Sequence, residues 1–185
     1  MTLKNNIQKE IFAKMKDKFG YVNIMETPKI EKVVVSVGVG SFKDKKKIEL
    51  VLDRLTKITG QKPVLRGAKK SIASFKTRQG DPVGVQVVLR GSRMQGFLGK
   101  LLNIGFPRTK DFRGIQRTVV DNMGNVTLGI KEHTIFPETS DEEIKDVFGL
   151  AVTMVVSSKT KEETFGFLEA INFPFRKDRS PSFEA

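Results

Sequence analysis

Val83-Gly84-Val85-Gln86-Val87-Val88-Leu89-Arg90 places an aliphatic residue at every odd position and sets Gly, Gln, Val and Arg between them. A period of two sustained over eight residues describes a β-strand with one buried face. Ser92 follows as a candidate helix cap, and Met94, Phe97, Leu98, Leu101 and Leu102 then keep helical spacing despite Gly96 and Gly99. The strand is therefore expected to bury its odd-numbered face beneath a helix.

Upstream, Lys29 to Val37 is β-branched and reads as a strand closing in the turn Gly38-Val39-Gly40. A helix from about Asp44 to Thr59 carries Ile48, Val51, Leu52, Leu55 and Ile58 on one face, and Gly60 stops it. A short strand from Pro63 to Arg66 enters a long loop, Gly67 to Pro82, rich in Gly, Ser and Lys. At the start of the chain Leu3, Ile7, Ile11, Met15 and Phe19 recur every four residues ahead of Gly20, an amphipathic helix with its stop.

Downstream, Phe106 to Arg117 reads as irregular and basic. A hairpin is expected from Thr118 to Asp121 and Val126 to Ile130 around Asn122-Met123-Gly124-Asn125. After an acidic connection from Glu138 to Asp146, Leu150 to Ser157 reads as a strand. Thr160-Lys161-Glu162-Glu163 is a capping-box sequence opening a last helix through Phe165, Leu168 and Ile171. This order predicts an α+β fold: a mostly antiparallel sheet, helices packed on one face, the other face free, and a long basic loop projecting from the sheet. One domain is expected over residues 1–178, with a polar tail at 179–185.

Charge is distributed unevenly over this frame. Residues 61–120 hold thirteen Lys and Arg against Asp81 and Asp111, a net +11; the first sixty carry thirteen against seven acids, +6, and the last sixty-five carry seven against twelve, −5. Charge so concentrated self-repels in the folded chain, and a phosphate-rich partner relieves it; the alternative is a solvated, solubilising surface. The absence of Cys excludes disulfides, thiolate zinc sites and cysteine nucleophiles. No window holds the roughly 18 apolar residues of a membrane helix, and no signal-peptide pattern opens the chain, so a cytoplasmic protein is expected.

Catalytic chemistry finds little purchase. His133 is the only His, too little for a triad or a metal site, and reads as structural or merely exposed. Gly38-Val39-Gly40 is followed by Lys43 where a dinucleotide fingerprint needs its third Gly, and Gly91 with Gly96 by Phe97 rather than a phosphate-binding Lys. Two-metal phosphoryl chemistry needs clustered carboxylates, and the basic region has only Asp81 and Asp111. No catalytic residue, metal or cofactor is expected. A nonspecific nucleic-acid chaperone and a nuclease remain rival readings.

The binding reading rests on two basic irregular segments, Arg66 to Arg78 and Arg108 to Arg117, flanking a strand and helix that present them together. Phe75 and Phe112 lie among these cations, where an aromatic ring either stacks on a base or anchors a loop by packing.

Lys69-Lys70-Ser71-Ile72-Ala73 with Phe75-Lys76-Thr77-Arg78-Gln79-Gly80, then Val88-Leu89-Arg90-Gly91, Pro107-Arg108 with Asp111-Phe112-Arg113-Gly114, Ile135-Phe136-Pro137-Glu138 and Phe173-Pro174-Phe175-Arg176 occur in this order. Together they closely resemble the bacterial large-subunit ribosomal protein L five family, from about Ile7 to Arg176. The resemblance implies a structural, non-enzymatic protein that binds 5S rRNA in the central protuberance, with contacts to 23S rRNA, P-site tRNA, other central-protuberance proteins and a small-subunit head protein. It implies 5S rRNA contacts at Gly38, Gly40, Gln61, Lys62, Arg90 and Gly91, a tRNA-facing loop with Lys69, Lys70, Phe75, Lys76 and Arg78, and further basic contacts at Arg108 and Arg113. Lys69 stands where the family commonly has Arg, which removes a bidentate phosphate contact. The acids Glu138, Asp141, Glu142, Glu143 and Asp146 should shun rRNA and face a basic protein, the candidate bridge surface.

Overall fold

The computed structural model describes residues 2–42, 44–110, 112–139 and 147–176, with side chains from Glu10 onward except that of Asp17. The elements are α1 (Thr2–Phe19), β1 (Ile30–Gly38), α2 (Lys45–Thr59), β2 (Val64–Gly67), β3 (Pro82–Leu89), α3 (Gly91–Lys100), the single turn α4 (Phe106–Arg108), β4 (Val126–Ile130), β5 (Leu150–Val156) and α5 (Lys161–Ala170). They form two compact units, one of residues 30–109 and 127–155, the other of 1–29, 110–126 and 156–185.

The first unit is the sheet. Its five antiparallel strands run in the order β2-β3-β1-β5-β4, and β1 meets β3 in the register Val33 to Leu89, Val35 to Val87 and Val37 to Val85. Those six side chains are all buried, as are Leu128, Ile130, Leu150, Val152 and Met154. Their cover comes from Ile48, Val51, Leu55 and Ile58 of α2 and Met94, Phe97 and Leu98 of α3, the residues singled out by helical spacing. Burying each such side chain contributes about 1.5–3 kcal/mol. The opposite face follows from pleat geometry: Lys32, Val34 and Ser36 of β1, Gly84, Gln86 and Val88 of β3, and Ala151, Thr153 and Val155 of β5 are only partly covered. The α+β architecture with helices on one side of an antiparallel sheet is thus present.

Local details of this unit depart from expectation after β3. No side-chain cap hydrogen bond opens α3; the helix begins at Gly91, whose φ of +61° turns the chain out of β3, with extended Arg90 before it. Beyond Lys100 the helix widens into a π-turn over Leu101–Gly105 before α4. Pro107 removes one backbone donor and crowds the carbonyl four residues before it, and a π-turn accommodates such a residue. His133 is structural, one of its two expected roles: its side chain is fully buried and its ring stacks on Phe148 with centroids 4.0 Å apart. The Phe148 amide donates to His133 Nδ1 at 3.3 Å, and Thr139 Oγ1 donates to the His133 carbonyl at 3.0 Å.

The second unit packs α1 against α5, where Gly166 leaves room for the Phe19 ring: a Cβ there would lie 2.5 Å from Phe19 Cε2. Thr160 caps α5 by accepting from the Glu163 amide at 3.2 Å, as its sequence predicts, but the return bond of a capping box is displaced by one residue: Glu163 Oε2 accepts from the Lys159 amide at 2.8 Å. The expected first hairpin strand, Thr118 to Asp121, is instead a 3₁₀ turn over Arg117–Val119 with one bridge, Val120 to Val126. Asp121 is the reason. Its carboxylate accepts from the amides of Met123 at 2.9 Å and Asn125 at 2.7 Å and so closes the turn locally. Desolvation pulls its pKa upward, but the Asn125 backbone and side-chain amides, the Met123 amide and the charge of Lys161 hold it below the usual carboxylate value.

Tyr21 in this unit gives a pH prediction. Burial, then the Glu163 carboxylate and Glu26, push its phenol up from 10.0 to about 12. A folded pKa above the unfolded one means the contribution to stability is complete below pH 10.0 and is lost as pH rises toward about 12. Tyr21→Phe should therefore flatten the alkaline fall in unfolding free energy by roughly 2 to 3 kcal/mol across that window. Parallel urea titrations of both proteins from pH 9 upward measure the difference.

Candidate nucleic-acid interface

The uncovered face of the sheet carries no acidic side chain: its inventory is Lys32, Val34, Ser36, Val64, Arg66, Gly84, Gln86, Val88, Thr127, Gly129, Ala151, Thr153 and Val155. Lys32 and Arg90 flank the Val33–Leu89 pair at one end of the β1–β3 ladder, and Lys62 leads into the adjoining edge strand β2. Arg66 on β2 sits opposite Gly84, and its Nε donates to Gln86 Oε1 at 2.8 Å, which orients the guanidinium along the face. Lys62, Arg66 and Arg90 are exposed, and none makes an ion pair among the described residues. Unpaired cations over small and polar side chains leave backbone and charge open to a flat polyanion.

Gly38 and Gly40 lie at the far end of the same ladder, five residues from the Val33–Leu89 pair, or about 17 Å at strand rise. The Val39 amide donates to the Val83 carbonyl at 3.0 Å, so the turn extends the sheet, and nothing lies within 4 Å of where a Gly38 Cβ would stand. Gln61 is partly committed to the protein, its amide donating to the Val88 carbonyl at 3.1 Å where β2 has not yet begun. Gly91 is required by its positive φ. The six residues implied as 5S rRNA contacts thus occupy two ends of one ladder, with Arg66 and Lys32 between and beside them. Arg66 opens one of the basic segments named from the sequence, whereas Lys32 was passed over; strand parity, which puts Lys32 with Val34 and Ser36, is the signal that finds it.

The loop between β2 and β3 is internally built. Ala68 and Asp81 close its base, Ile72 pairs with Thr77, and Ala73–Phe75 makes one 3₁₀ turn ended by Lys76 at φ 51°. Asp81 accepts from the Arg78 amide at 2.7 Å and Ser71 Oγ from the Gln79 amide at 3.0 Å. Lys69, Lys70, Lys76 and Arg78 are all exposed, and Phe75 is 73% exposed, so its ring packs on little of the loop. Arg108 is exposed at the end of α4 in the sheet unit, whereas Arg113 is exposed in the other unit. Of the acidic set, Glu138 is paired with Lys100, whose Nζ also donates to the Ile58 carbonyl at 3.1 Å. Asp141, Glu142, Glu143 and Asp146 lie outside the described residues. Among the described residues no cluster of His, Asp or Glu is arranged to hold a metal ion, and no helix is long and apolar enough to cross a membrane.

Comparison with known proteins matches the sequence of this chain to a family. Residues 23–78 fit the profile of Ribosomal protein L5, and residues 82–175 fit the profile of the C-terminus of the same ribosomal family. The Large ribosomal subunit protein uL5 of Thermoanaerobacter sp. (strain X514) is 47% identical over 176 residues, covering 95% of this chain and 98% of the relative. Those of Halothermothrix orenii and Oceanobacillus iheyensis are 46% and 43% identical over the same coverage. With both profiles in tandem and identity of this order along nearly the whole length, the chain belongs to the ribosomal protein L5 family.

Proposed function

We propose that this protein is a structural constituent of the large ribosomal subunit, working in cytoplasmic translation, which binds 5S rRNA through the uncovered face of its sheet. The carrying observation is the acid-free face bordered by Lys62, Arg66 and Arg90. Gly38 and Gly40 supply close backbone approach at one end, and Arg90 with Gly91 supplies charge at the other. The exposed loop of Lys69, Lys70, Phe75, Lys76 and Arg78 meets P-site tRNA, its cations on phosphate and its ring available for stacking. Arg108 and Arg113, both exposed, supply further basic contacts. Neither reading calls for a cofactor, and the protein is not an enzyme.

Binding of labelled 5S rRNA tests the proposal when challenged with unlabelled 5S rRNA, tRNA and duplex DNA over a salt series. Preferential displacement by 5S rRNA is expected, with a log-log slope of roughly −0.7 to −0.9 per neutralised phosphate. Equal displacement by all three competitors would leave a nonspecific chaperone, and Mg²⁺-dependent RNA turnover a nuclease.

The acidic stretch is assigned to a basic small-subunit head protein. Because Lys100 already neutralises Glu138, the assignment falls on Glu142 and Glu143. Reversing both to Lys should weaken subunit association by about tenfold, the scale of two rim charges, while 5S rRNA affinity is unchanged. Sedimentation of mixed subunits reads the first quantity and filter binding the second.

A further inference from the structure

Val22 and Met25 are the most exposed large apolar side chains among the described residues, at 87% and 82%. Met25 sits on a short 3₁₀ turn, Ile24–Glu26, and Val22 just ahead of its cap Asn23, in a segment tied down by hydrogen bonds. Asn23 Oδ1 accepts from the Met25 amide at 3.0 Å, while Glu26 Oε2 accepts from the amides of Val22 at 3.0 Å and Asn23 at 3.3 Å, a closed capping box. Behind the turn Tyr21 is buried, and Lys29 is fixed by two hydrogen bonds to Ser157, through its amide at 3.1 Å and its carbonyl at 2.9 Å. Two large apolar groups are therefore presented on a preorganised support. That lowers the entropic cost of inserting them into a pocket, and Met adapts readily to the surface it meets.

The local charge selects the occupant. The Glu26 carboxylate is bonded to the turn's own Val22 and Asn23 amides, and Glu26 and Glu163 both stand close enough to Tyr21 to raise its phenol. Neither Val nor Met offers a ring for base stacking, and a site beside two carboxylates repels phosphate. We propose that the Val22–Met25 turn is a docking knob for another protein of the large subunit, one whose surface offers an apolar pocket rimmed by Lys or Arg. The proposal rests on the assignment of this chain to that subunit.

The chain has no Cys, so Met25→Cys creates a unique attachment point for a benzophenone maleimide. Labelled protein is incorporated into large subunits, irradiated, and the adducts are split into halves treated with RNase or protease. An RNase-resistant, protease-sensitive adduct to a basic protein is expected. An RNA adduct, an adduct to an acidic protein, or no adduct above the unirradiated control would overturn the inference. A second variant, Val22→Ser with Met25→Ser, should compete about tenfold less well than wild type for incorporation while melting at the same temperature when free. Equal competition would also overturn it. Failure of the unmodified chain to enter large subunits at all would instead refute the proposed function on which the inference stands.

Discussion

Replacing Lys62, Arg66 and Arg90 together with Ala should weaken 5S rRNA binding by about three orders of magnitude at physiological salt and make the log-log salt slope shallower by roughly 2 to 3. Each of the three is exposed and free of ion pairs among the described residues, so its whole charge is available to a phosphate. The change should be almost silent for folding, because none fills the core, although Arg66 loses its bond to Gln86. The matching loop variant, Lys69→Ala with Arg78→Ala, should leave 5S rRNA affinity within about threefold and lower tRNA affinity instead. Loop and sheet are separate surfaces of one unit: the loop closes on itself at Ala68 and Asp81, whereas Arg66 stands on β2, Lys62 just before β2 and Arg90 just after β3. Filter binding of both variants to both RNAs gives four affinities. Equal losses across them would mean that the cations act as one undivided field.

How far the chain could be read without coordinates differs by element, and the differences have physical causes. The sheet and α2 were legible because apolar periodicity is imposed by burial on one side, and Gly20 and Gly60 at φ +67° end α1 and α2 as their positions suggest. Ser92 misled because Gly91 can take a positive φ and turn the chain one residue earlier, a freedom that propensity does not register. The hairpin at 118–130 misled because Asp121 satisfies two amides with its own carboxylate, and that local competition removes a strand without changing the apolar pattern. For the interface, charge clustering pointed to the central third of the chain but not to which cations share a face. Lys32 is separated from Arg90 by 58 positions, and only the register of β1 on β3 brings them to one end of the ladder. The pairing of Glu138 with Lys100 was hidden for the same reason, being a contact between distant segments.

Gly114→Ala is expected to cost about 3 kcal/mol or more, enough to lower the melting temperature by at least about 6–12 °C if the protein unfolds as one cooperative unit. The residue has φ +89°, where an L side chain is strained. Space adds a heavier term: an added Cβ would stand 2.6 Å from Arg176 Cα and 2.7 Å from Arg176 N, backbone atoms with no rotamer to turn aside. Relief requires the 174–176 segment to withdraw. That breaks the bond from the Ile115 amide to the Pro174 carbonyl at 2.9 Å and the bond from the Arg176 amide to the Ile115 carbonyl at 2.8 Å. Phe175 moves with it, away from its contacts with Phe173 and Phe165 at 5.0 and 5.9 Å between centroids. Gly96→Ala is the contrast, since Gly96 is exposed in α3 with nothing within 4 Å of a Cβ; it should stabilise by about 0.5–1 kcal/mol through the gain in helix propensity. Chemical unfolding of the two variants side by side separates conformational strain from the mere loss of glycine. A Gly114 variant as stable as wild type would mean that the pairing of Ile115 with Phe175 holds up nothing.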